Sequence, residues 1–535
     1  MSKNFGMKGY MKGALLLTVA AVIVKILSAV YRIPFQNLVG DQGFYIYQQV
    51  YPFISFFVVW TSGGFAVAIS KMLADAEISN NSTHQKGFIS RTIFYYLTIL
   101  SIVFFIILFF GADILANLMG DENLAQLVRT GSFVTLFMPI LALMKGVFQS
   151  RGEMAPVAYA QVFEQFIRVF IILVGTLIIM FTTKSLYGAG NIAVLGTVVG
   201  EIAGVVLLIL FLKKKVILSK GKFTGQKRWP IIKEVTLLSI SVSMSSLLIL
   251  CLQLIDSFTV YSLMIQHGVE GQVAQVAKGI YDRGQPLIQL GIVIASSLSL
   301  AIVPLVAHHT RKKGGRSALP FIQLTYRSAL LFGVAASLGL VIVMPYVNTM
   351  LFETNDLSNV LRISVLQIIP LSIILTITAI LQGMGKLRIP AMIIVGALVV
   401  KGVGNFLLVP TFHVLGAAVS SGLGLYFCAI LLTVYTRNLI IGDLAGSNFY
   451  IKLIGASISM AVAVLLMDNL LQIFNGFISS VRIEAVIFGI CLIVIGAFVF
   501  LTFVGKTRML AEKEWFLLPF GRKMATYQLW LNKRK

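Results

Sequence analysis

The sequence predicts an all-α membrane protein that crosses the bilayer about fourteen times. Of the 535 residues, 58% are hydrophobic and only 12% are charged. Apolar runs of about 20 residues, the length that crosses about 30 Å of hydrocarbon, recur from end to end. An internal repeat divides these spans into two pseudo-symmetric six-helix lobes followed by two C-terminal helices.

The predicted spans leave little chain between them. No loop exceeds roughly 20 residues, so the sequence has no room for a soluble catalytic or nucleotide-binding domain. In order, the spans are residues 13–33, 44–70, 91–111, 128–148, 156–181, 190–212, 231–263, 279–307, 322–345, 359–382, 389–410, 413–436, 451–473 and 483–505.

The repeat relates residues 149–168, QSRGEMAPVAYAQVFEQFIR, to residues 382–401, QGMGKLRIPAMIIVGALVVK. Each segment is a short polar turn followed by an apolar helix that ends on a cation, Arg168 or Lys401. Equivalent residues are mostly 233 positions apart. The predicted domains are the N-terminal lobe 1–225, the C-terminal lobe 226–445, two further helices in 446–505 and a basic amphipathic tail, 506–535.

The net charge of +23 indicates orientation rather than nucleic-acid binding. Under the fourteen-span arrangement, 32 of the 43 Lys and Arg residues lie on one side of the membrane, 6 on the other and 5 within spans. Cytoplasmic loops of membrane proteins are enriched in Lys and Arg. The asymmetry predicts a multi-pass protein of the cell membrane with both termini in the cytoplasm.

Two cations share one face of the first predicted span. Lys25 lies at mid-depth, and Arg32 follows about two helical turns later, near the outer end. A charge as deep as Lys25 costs a few kcal/mol, so we expect it to face a polar cavity. Arg32 could instead extend to the outer headgroups.

Other charges in or near the spans are candidates for the same cavity. Arg168 and Glu164 are spaced for an ion pair within one helix, which would be structural, whereas Lys401 has no acid one turn away and is predicted to meet an anion. The other candidates are Arg283 and the acids Asp256, Glu201 and Asp282. The candidate packing or hinge positions are Ser62, Gly63, Gly64 and Pro286.

The sequence contains no catalytic constellation. Phosphate-binding loops, zinc-protease motifs and nucleophile elbows are missing, and the three cysteines lie in spans without metal-ligand spacing. We therefore predict neither an enzyme nor a cofactor or metal site. An interior in which cations outnumber acids suits an anionic substrate, and two lobes without an ATPase indicate secondary transport by alternating access.

Three stretches resemble a known family. They are VKILSAVYRIPFQNLVGDQGFYIYQQVYP at 24–52, TSGGFAVAISKML at 61–73 and YDRGQPLIQLGIVIASSLSLAIVPLVAHH at 281–309. The chain resembles, over essentially its whole length, the polysaccharide-exporter branch of the multidrug/oligosaccharidyl-lipid/polysaccharide exporter superfamily. In Gram-positive bacteria this branch includes stage V sporulation protein B-like proteins and MurJ-type lipid II flippases.

The resemblance implies a substrate and its site. MurJ-type proteins have arginines that match Lys25, Tyr31 or Arg32, and Arg283, and use them in a central cavity for the lipid diphosphate. Two further helices of the family form a groove for the polyprenyl tail, which would be residues 451–505. The implied function is to move a polyprenyl-diphosphate-linked saccharide from the inner to the outer leaflet. Candidate partners are this substrate, membrane lipids and proteins of cell-wall synthesis.

One departure leaves the identity of the saccharide open. MurJ-type proteins have a basic pair in the second span where this chain has Phe57 and Val58. A cation-coupled multidrug exporter of the same fold is the alternative, but it would favour an acidic cavity. A glycosyltransferase would need carboxylates and a large outer loop, and a scaffold would not explain Lys25 and Lys401. The membrane potential, protons and sodium ions all remain open as driving forces.

Overall fold

Every regular element is a helix in the part of the chain that the computed structural model describes. The described residues are 7–78, 83–212, 227–293, 319–386, 388–440, 442–473, 480–516 and 521–533, with isolated positions 295, 297, 306, 476 and 518. The predicted all-α class is therefore confirmed.

The helices before residue 300 include short helices at the ends of the long ones. They are α1 (Met7–Val30), α2 (Arg32–Val59), a π-helical segment (Trp60–Phe65), α3 (Ala66–Ile78), α4 (Thr83–Phe110), α5 (Ala112–Met119), a 3-10 turn (Glu122–Leu124), α6 (Ala125–Ser132), α7 (Val134–Ser150), α8 (Met154–Thr182), α9 (Leu186–Leu212), α10 (Arg228–Gln266), α11 (Gly271–Asp282) and α12 (Gly284–Gly291).

The helices after residue 300 likewise include short helices beside long ones. They are α13 (Leu319–Phe352), α14 (Ser358–Val365), α15 (Ile368–Gly383), α16 (Arg388–Leu439), α17 (Ser447–Gln472), α18 (Val481–Lys506), α19 (Glu512–Trp515) and α20 (Gly521–Asn532).

Eleven helical ranges among the described residues are long and apolar enough to cross a membrane. Two of them, Leu16–Glu77 with 62 residues and Arg388–Leu439 with 52, are long enough to cross twice. Each contains a break in its backbone, at Gly40 with φ 69° and at His413 with φ 51°. The chain is a multi-pass membrane protein. The later part of the predicted eighth span, 279–307, lies mostly outside the described residues, so the count of fourteen stays a prediction.

Internal packing divides the chain into two compact units. The first comprises Met1–Asp282 with Lys401–His413, and the second comprises Arg283–Val400 with Val414–Lys535. The first unit thus extends past the lobe boundary that the repeat predicts at residue 225. The two-lobe arrangement stays a prediction.

The first unit buries charge and exposes apolar side chains. Its charged residues in α7, α8 and α9 are buried, whereas Phe110, Phe181 and Leu210 are among its most exposed side chains. This distribution is expected where hydrocarbon surrounds the protein, because an unpaired charge is costly in lipid. Apolar residues of α3, α4 and α7 form a buried core in the same unit.

Polar side chains also join α2, α9 and α11 within the first unit. Gln42 donates a hydrogen bond of 2.7 Å to the side-chain oxygen of Gln275. The carboxylate of Asp121 accepts hydrogen bonds from Tyr187 at 2.8 Å and from Gln275 at 3.3 Å. Four side chains distant in sequence are therefore tied together at one end of these helices.

The predicted tail, 506–535, packs on the second unit where the structure describes it. Trp515 is buried and donates a hydrogen bond of 2.6 Å to Gln528, and Asn532 donates one of 3.1 Å to the carbonyl of Gly505 in α18. Trp530, in contrast, is exposed. One tryptophan of the tail is thus buried and another exposed, and both the amphipathic character and the cytoplasmic location of the tail stay predictions.

Candidate functional site

Close packing of α8 and α9 in the first unit brings charged residues together. A Cβ atom at Gly200 would lie 2.9 Å from the carbonyl oxygen of Glu164 and 3.2 Å from the Cβ atom of Arg168. Only glycine allows this approach without a shift of either helix. The next residue, Glu201, is thereby placed against the charged face of α8.

Four ionisable side chains form a buried cluster at this crossing. Arg168 contacts Glu164 at 3.3 Å and Glu201 at 3.2 Å, and Lys145 of α7 contacts the other oxygen of Glu164 at 3.3 Å. Lys145 also donates a hydrogen bond of 2.8 Å to Ser62. The two positive and two negative charges cancel, and this lowers the free-energy cost of burying the four side chains. The ion pair predicted between Glu164 and Arg168 is present.

A second buried cluster lies around Asp256 of α10, also in the first unit. The Lys401 ammonium contacts one oxygen of Asp256 at 2.5 Å, and Asn405 donates a hydrogen bond of 2.9 Å to the same oxygen. Tyr281 donates a hydrogen bond of 2.9 Å to the other oxygen. The anion that Lys401 contacts is therefore a carboxylate of its own chain. Binding of a diphosphate by Lys401 stays a prediction and would require this ion pair to open.

Asp282, the last residue of α11, is paired within its own helix. The Lys278 ammonium lies 2.7 Å from both of its carboxylate oxygens, and both side chains are buried. Asp282 is thus neutralised one turn away by Lys278, which lies just before the predicted span 279–307. A coupling role for Asp282 stays a prediction.

Arg32, at the start of α2, differs from these paired charges. Its side chain is fully buried, and its guanidinium carbon lies 4.3 Å from the centre of the Tyr51 ring. Among the described residues, none of its three nitrogen atoms has a hydrogen-bond partner of good geometry. Buried donors are normally satisfied, so this guanidinium is poised for an acceptor from outside the protein. The alternative of a side chain extended to the headgroups does not fit its complete burial.

Lys25 and Arg283 have different surroundings. Lys25 is exposed on α1, and no residue in the described ranges forms an ion pair with it. Arg283, in the second unit, is fully buried, donates hydrogen bonds to Asn348 at 3.2 Å and Thr354 at 3.1 Å, and lies over the Phe352 ring. A cavity role for either cation stays a prediction.

The candidate hinge positions occupy two distinct settings. Ser62, Gly63 and Gly64 lie in the π-helical segment, a form that often marks functional sites. A Cβ atom at Gly64 would lie 3.0 Å from the carbonyl oxygen of Ser239 in α10, so Gly64 permits close packing, whereas one at Gly63 meets no described atom within 4 Å. Pro286 is buried in the first turn of α12, where a missing amide hydrogen is tolerated.

The sequence analysis missed several members of these clusters. Asn405 follows Lys401 by one helical turn, so the shared face of α16 was a usable signal. Lys145 lies near the end of the predicted span 128–148 and was not among the candidate cations. Tyr51 and Tyr281 lie within the stretches that carry the family resemblance, but nothing there distinguishes them from the other tyrosines, which are common in membrane helices. In the described ranges, no group of three or more His, Cys, Asp or Glu residues could hold a metal ion.

The fold and these clusters define a class: multi-pass helical membrane proteins that concentrate ionisable residues in their interior, as transporters do. The chain belongs to the polysaccharide biosynthesis protein family, whose model matches residues 10–309. The resemblance to the polysaccharide-exporter branch of the superfamily is thereby confirmed.

Three relatives from Bacillus subtilis match the sequence. The membrane protein YabM, described as uncharacterized, is 34% identical over 540 residues, which cover 98% of each chain. The lipid II flippase MurJ is 24% identical and covers 79% of this chain and 81% of its own. Stage V sporulation protein B is 31% identical over 214 residues, which cover 38% of this chain and 39% of its own.

Solved structures share the fold. The lipid II flippase MurJ in an inward closed conformation matches with a TM-score of 0.69 at 12% identity, over 92% of this chain and 99% of its own. An inward-facing multidrug resistance MATE family transporter matches with a TM-score of 0.59 at 14% identity, over 78% of this chain and 97% of its own. At these identities the matches establish the fold alone.

Proposed function

We propose that this protein is a flippase that moves a polyprenyl-diphosphate-linked saccharide from the inner to the outer leaflet by alternating access. The family to which the chain belongs and its similarity to a lipid II flippase support the substrate class. Phe57 and Val58, which replace the basic pair of MurJ-type proteins, leave the saccharide open between lipid II and another cell-envelope precursor.

The observation that carries the proposal is the state of Arg32. It is a buried guanidinium with no hydrogen-bond partner of good geometry among the described residues. A guanidinium presents a planar fork of donors that matches two oxygens of a phosphate group. A diphosphate that reaches Arg32 therefore finds donors that no carboxylate already occupies.

The other buried or candidate cations differ in the role that we propose for them. Lys25 and Arg283 join Arg32 as the proposed diphosphate-binding residues, because the family uses arginines at the matching positions. Arg168 and Lys401 are ion-paired with carboxylates and would contribute only after those pairs open. Residues 451–505, which contain most of α17 and most of α18, are proposed to hold the polyprenyl tail.

The membrane potential is the proposed driving force. A diphosphate carries negative charge, and an inside-negative potential favours its outward movement by roughly 2.3 kcal/mol per charge per 100 mV. This contribution requires that the cations stay with the protein while the substrate crosses. Coupling to protons or sodium ions would add to it, with Asp256, Glu164, Glu201 and Asp282 as the candidate sites.

A cation-coupled multidrug exporter is the alternative function, because a MATE family transporter shares the fold. Cationic drugs need a carboxylate that is not already neutralised. Glu164, Glu201 and Asp256 each contact a cation in the first unit, whereas Arg32 has no paired carboxylate in the described ranges. The charge balance therefore favours an anionic substrate.

The test is complementation in cells depleted of the protein, with analysis of the lipid-linked species that accumulate. Arg32→Gln and Arg283→Gln should fail to complement at wild-type membrane abundance, and an inner-leaflet saccharide diphosphate lipid should accumulate. Arg129→Gln is the control, because Arg129 is partly exposed and pairs with Asp113. Full activity of both buried variants, without accumulation of any such lipid, would contradict the proposal and favour the drug exporter.

A further inference from the structure

The two buried arginines of the proposed site are held in different ways. Arg283 donates hydrogen bonds to Asn348 and Thr354, and its guanidinium carbon lies 5.0 Å from the centre of the Phe352 ring. The Arg32 guanidinium carbon lies 4.3 Å from the centre of the Tyr51 ring, and Arg32 makes no hydrogen bond of good geometry with a described residue. The ring of Tyr51 therefore bears more of the cost of burying its arginine than Phe352 does.

Tyr51 is itself fixed by a run of aromatic contacts. Its ring centre lies 5.7 Å from that of Tyr47, and the Tyr47 hydroxyl is 2.7 Å from the Tyr31 hydroxyl. The Phe35 ring packs edge-on against Tyr47 at 5.1 Å. Tyr31, Phe35 and Tyr47 are all nearly fully buried. These residues hold Tyr47 in place, and Tyr47 in turn packs against the ring on which the guanidinium of Arg32 lies.

An aromatic ring and a hydrogen-bond acceptor can both hold an arginine, but they differ in whether its N–H donors remain available. A carboxylate that pairs with an arginine occupies its donors and cancels its charge. An aromatic face attracts the cation through the ring quadrupole and leaves the N–H groups, which lie in the guanidinium plane, available. An arginine held by a ring can therefore stay buried while no anion is bound, and it can still bind an anion strongly when one arrives.

We propose that Tyr51 is a positioning residue for diphosphate binding: its ring holds Arg32 in place without using the donors that bind the substrate. The inference rests on the proposed function, because it assigns to Tyr51 a part in that same site. It also accounts for a buried guanidinium that no described carboxylate neutralises. Tyr51 acts through Arg32 and need not touch the diphosphate.

The experiment measures binding of geranyl diphosphate, a short soluble probe, to the full-length protein in lipid nanodiscs. Tyr51→Leu should weaken binding by about tenfold to thirtyfold, the effect of losing a desolvated cation–π contact. Tyr51→Phe should bind within about threefold of wild type, because it keeps the ring. Phe352→Leu is the matched control and should also stay within about threefold, because hydrogen bonds still hold Arg283.

The outcomes separate this inference from the proposed function. If wild type fails to bind the probe, the diphosphate site itself is wrong. If wild type binds and Tyr51→Leu binds equally well, Tyr51 has no positioning role, while the proposed function stands. Equal losses in Tyr51→Phe and Tyr51→Leu would assign the effect to the hydroxyl and overturn the inference. Thermal unfolding of each variant identifies any general loss of folding, which Tyr51→Phe should not show.

Discussion

Lys401 and Arg168 occupy equivalent positions in the sequence repeat, and each contacts a carboxylate of the first unit. Both were predicted to lie within membrane spans, and both side chains are buried. It could not supply Asp256 as the partner of Lys401, because that contact depends on how α10 and α16 pack. Glu164 was predictable as a partner of Arg168, because one helical turn separates the two residues.

The pair of Lys401 with Asp256 predicts how the protein responds to loss of one charge. Lys401→Met should lower the free energy of unfolding by about 3–5 kcal/mol, because it leaves a carboxylate buried without its cation. Adding Asp256→Leu should recover most of that loss. Thermal unfolding of the purified protein in detergent measures both effects.

Arg437→Met is the matched control for this pair. Arg437 contacts Asp443 at 3.1 Å, but both side chains are largely exposed, so its loss should cost less than about 1 kcal/mol. Equal destabilisation by Lys401→Met and Arg437→Met would mean that the buried pair carries no special electrostatic cost.

At the scale of elements, the four-charge cluster depends on how closely α8 approaches α9. The sequence predicted both helices and their apolar character. It did not indicate that Gly200 lies against the backbone of α8, because glycines are common in membrane helices and most have no such neighbour. The Phe and Val at 57 and 58 were noted as a departure from the family, but the aromatic run around Tyr51 was not recognised. Contacts of this kind appear only after the helices are packed.

Gly200→Ala should separate α8 from α9 and disturb the charge cluster. Its Cβ atom would meet the Glu164 carbonyl oxygen at 2.9 Å, so we expect a loss of about 1–3 kcal/mol. Gly339→Ala, in α13, is the control, because no described atom lies within 4 Å of its Cβ position. Thermal unfolding should show a lower midpoint for Gly200→Ala alone, and a wild-type midpoint for it would contradict this account of the packing.

At the scale of the whole molecule, the asymmetry of Lys and Arg predicts which loops face the cytoplasm. A cysteine at Lys222, outside the described residues, should resist a membrane-impermeant thiol reagent in intact cells. A cysteine at Asn355, which is exposed before α14, should react. The background variant first replaces Cys251, Cys428 and Cys491. The reverse labelling pattern would overturn the predicted orientation.

The hydrogen bond between Gln42 and Gln275 bears on the ancestry of the chain. The two residues are 233 positions apart, which is the spacing of the repeat, so the bond joins a residue to its own counterpart. Residues contact their counterparts only beside a two-fold axis, as at the interface of a symmetric homodimer. Such a bond is what a gene duplication would leave behind when two identical subunits became one polypeptide. If the two lobes arose by such a duplication, Gln42 and Gln275 descend from one residue, and their hydrogen bond descends from a contact between two separate chains.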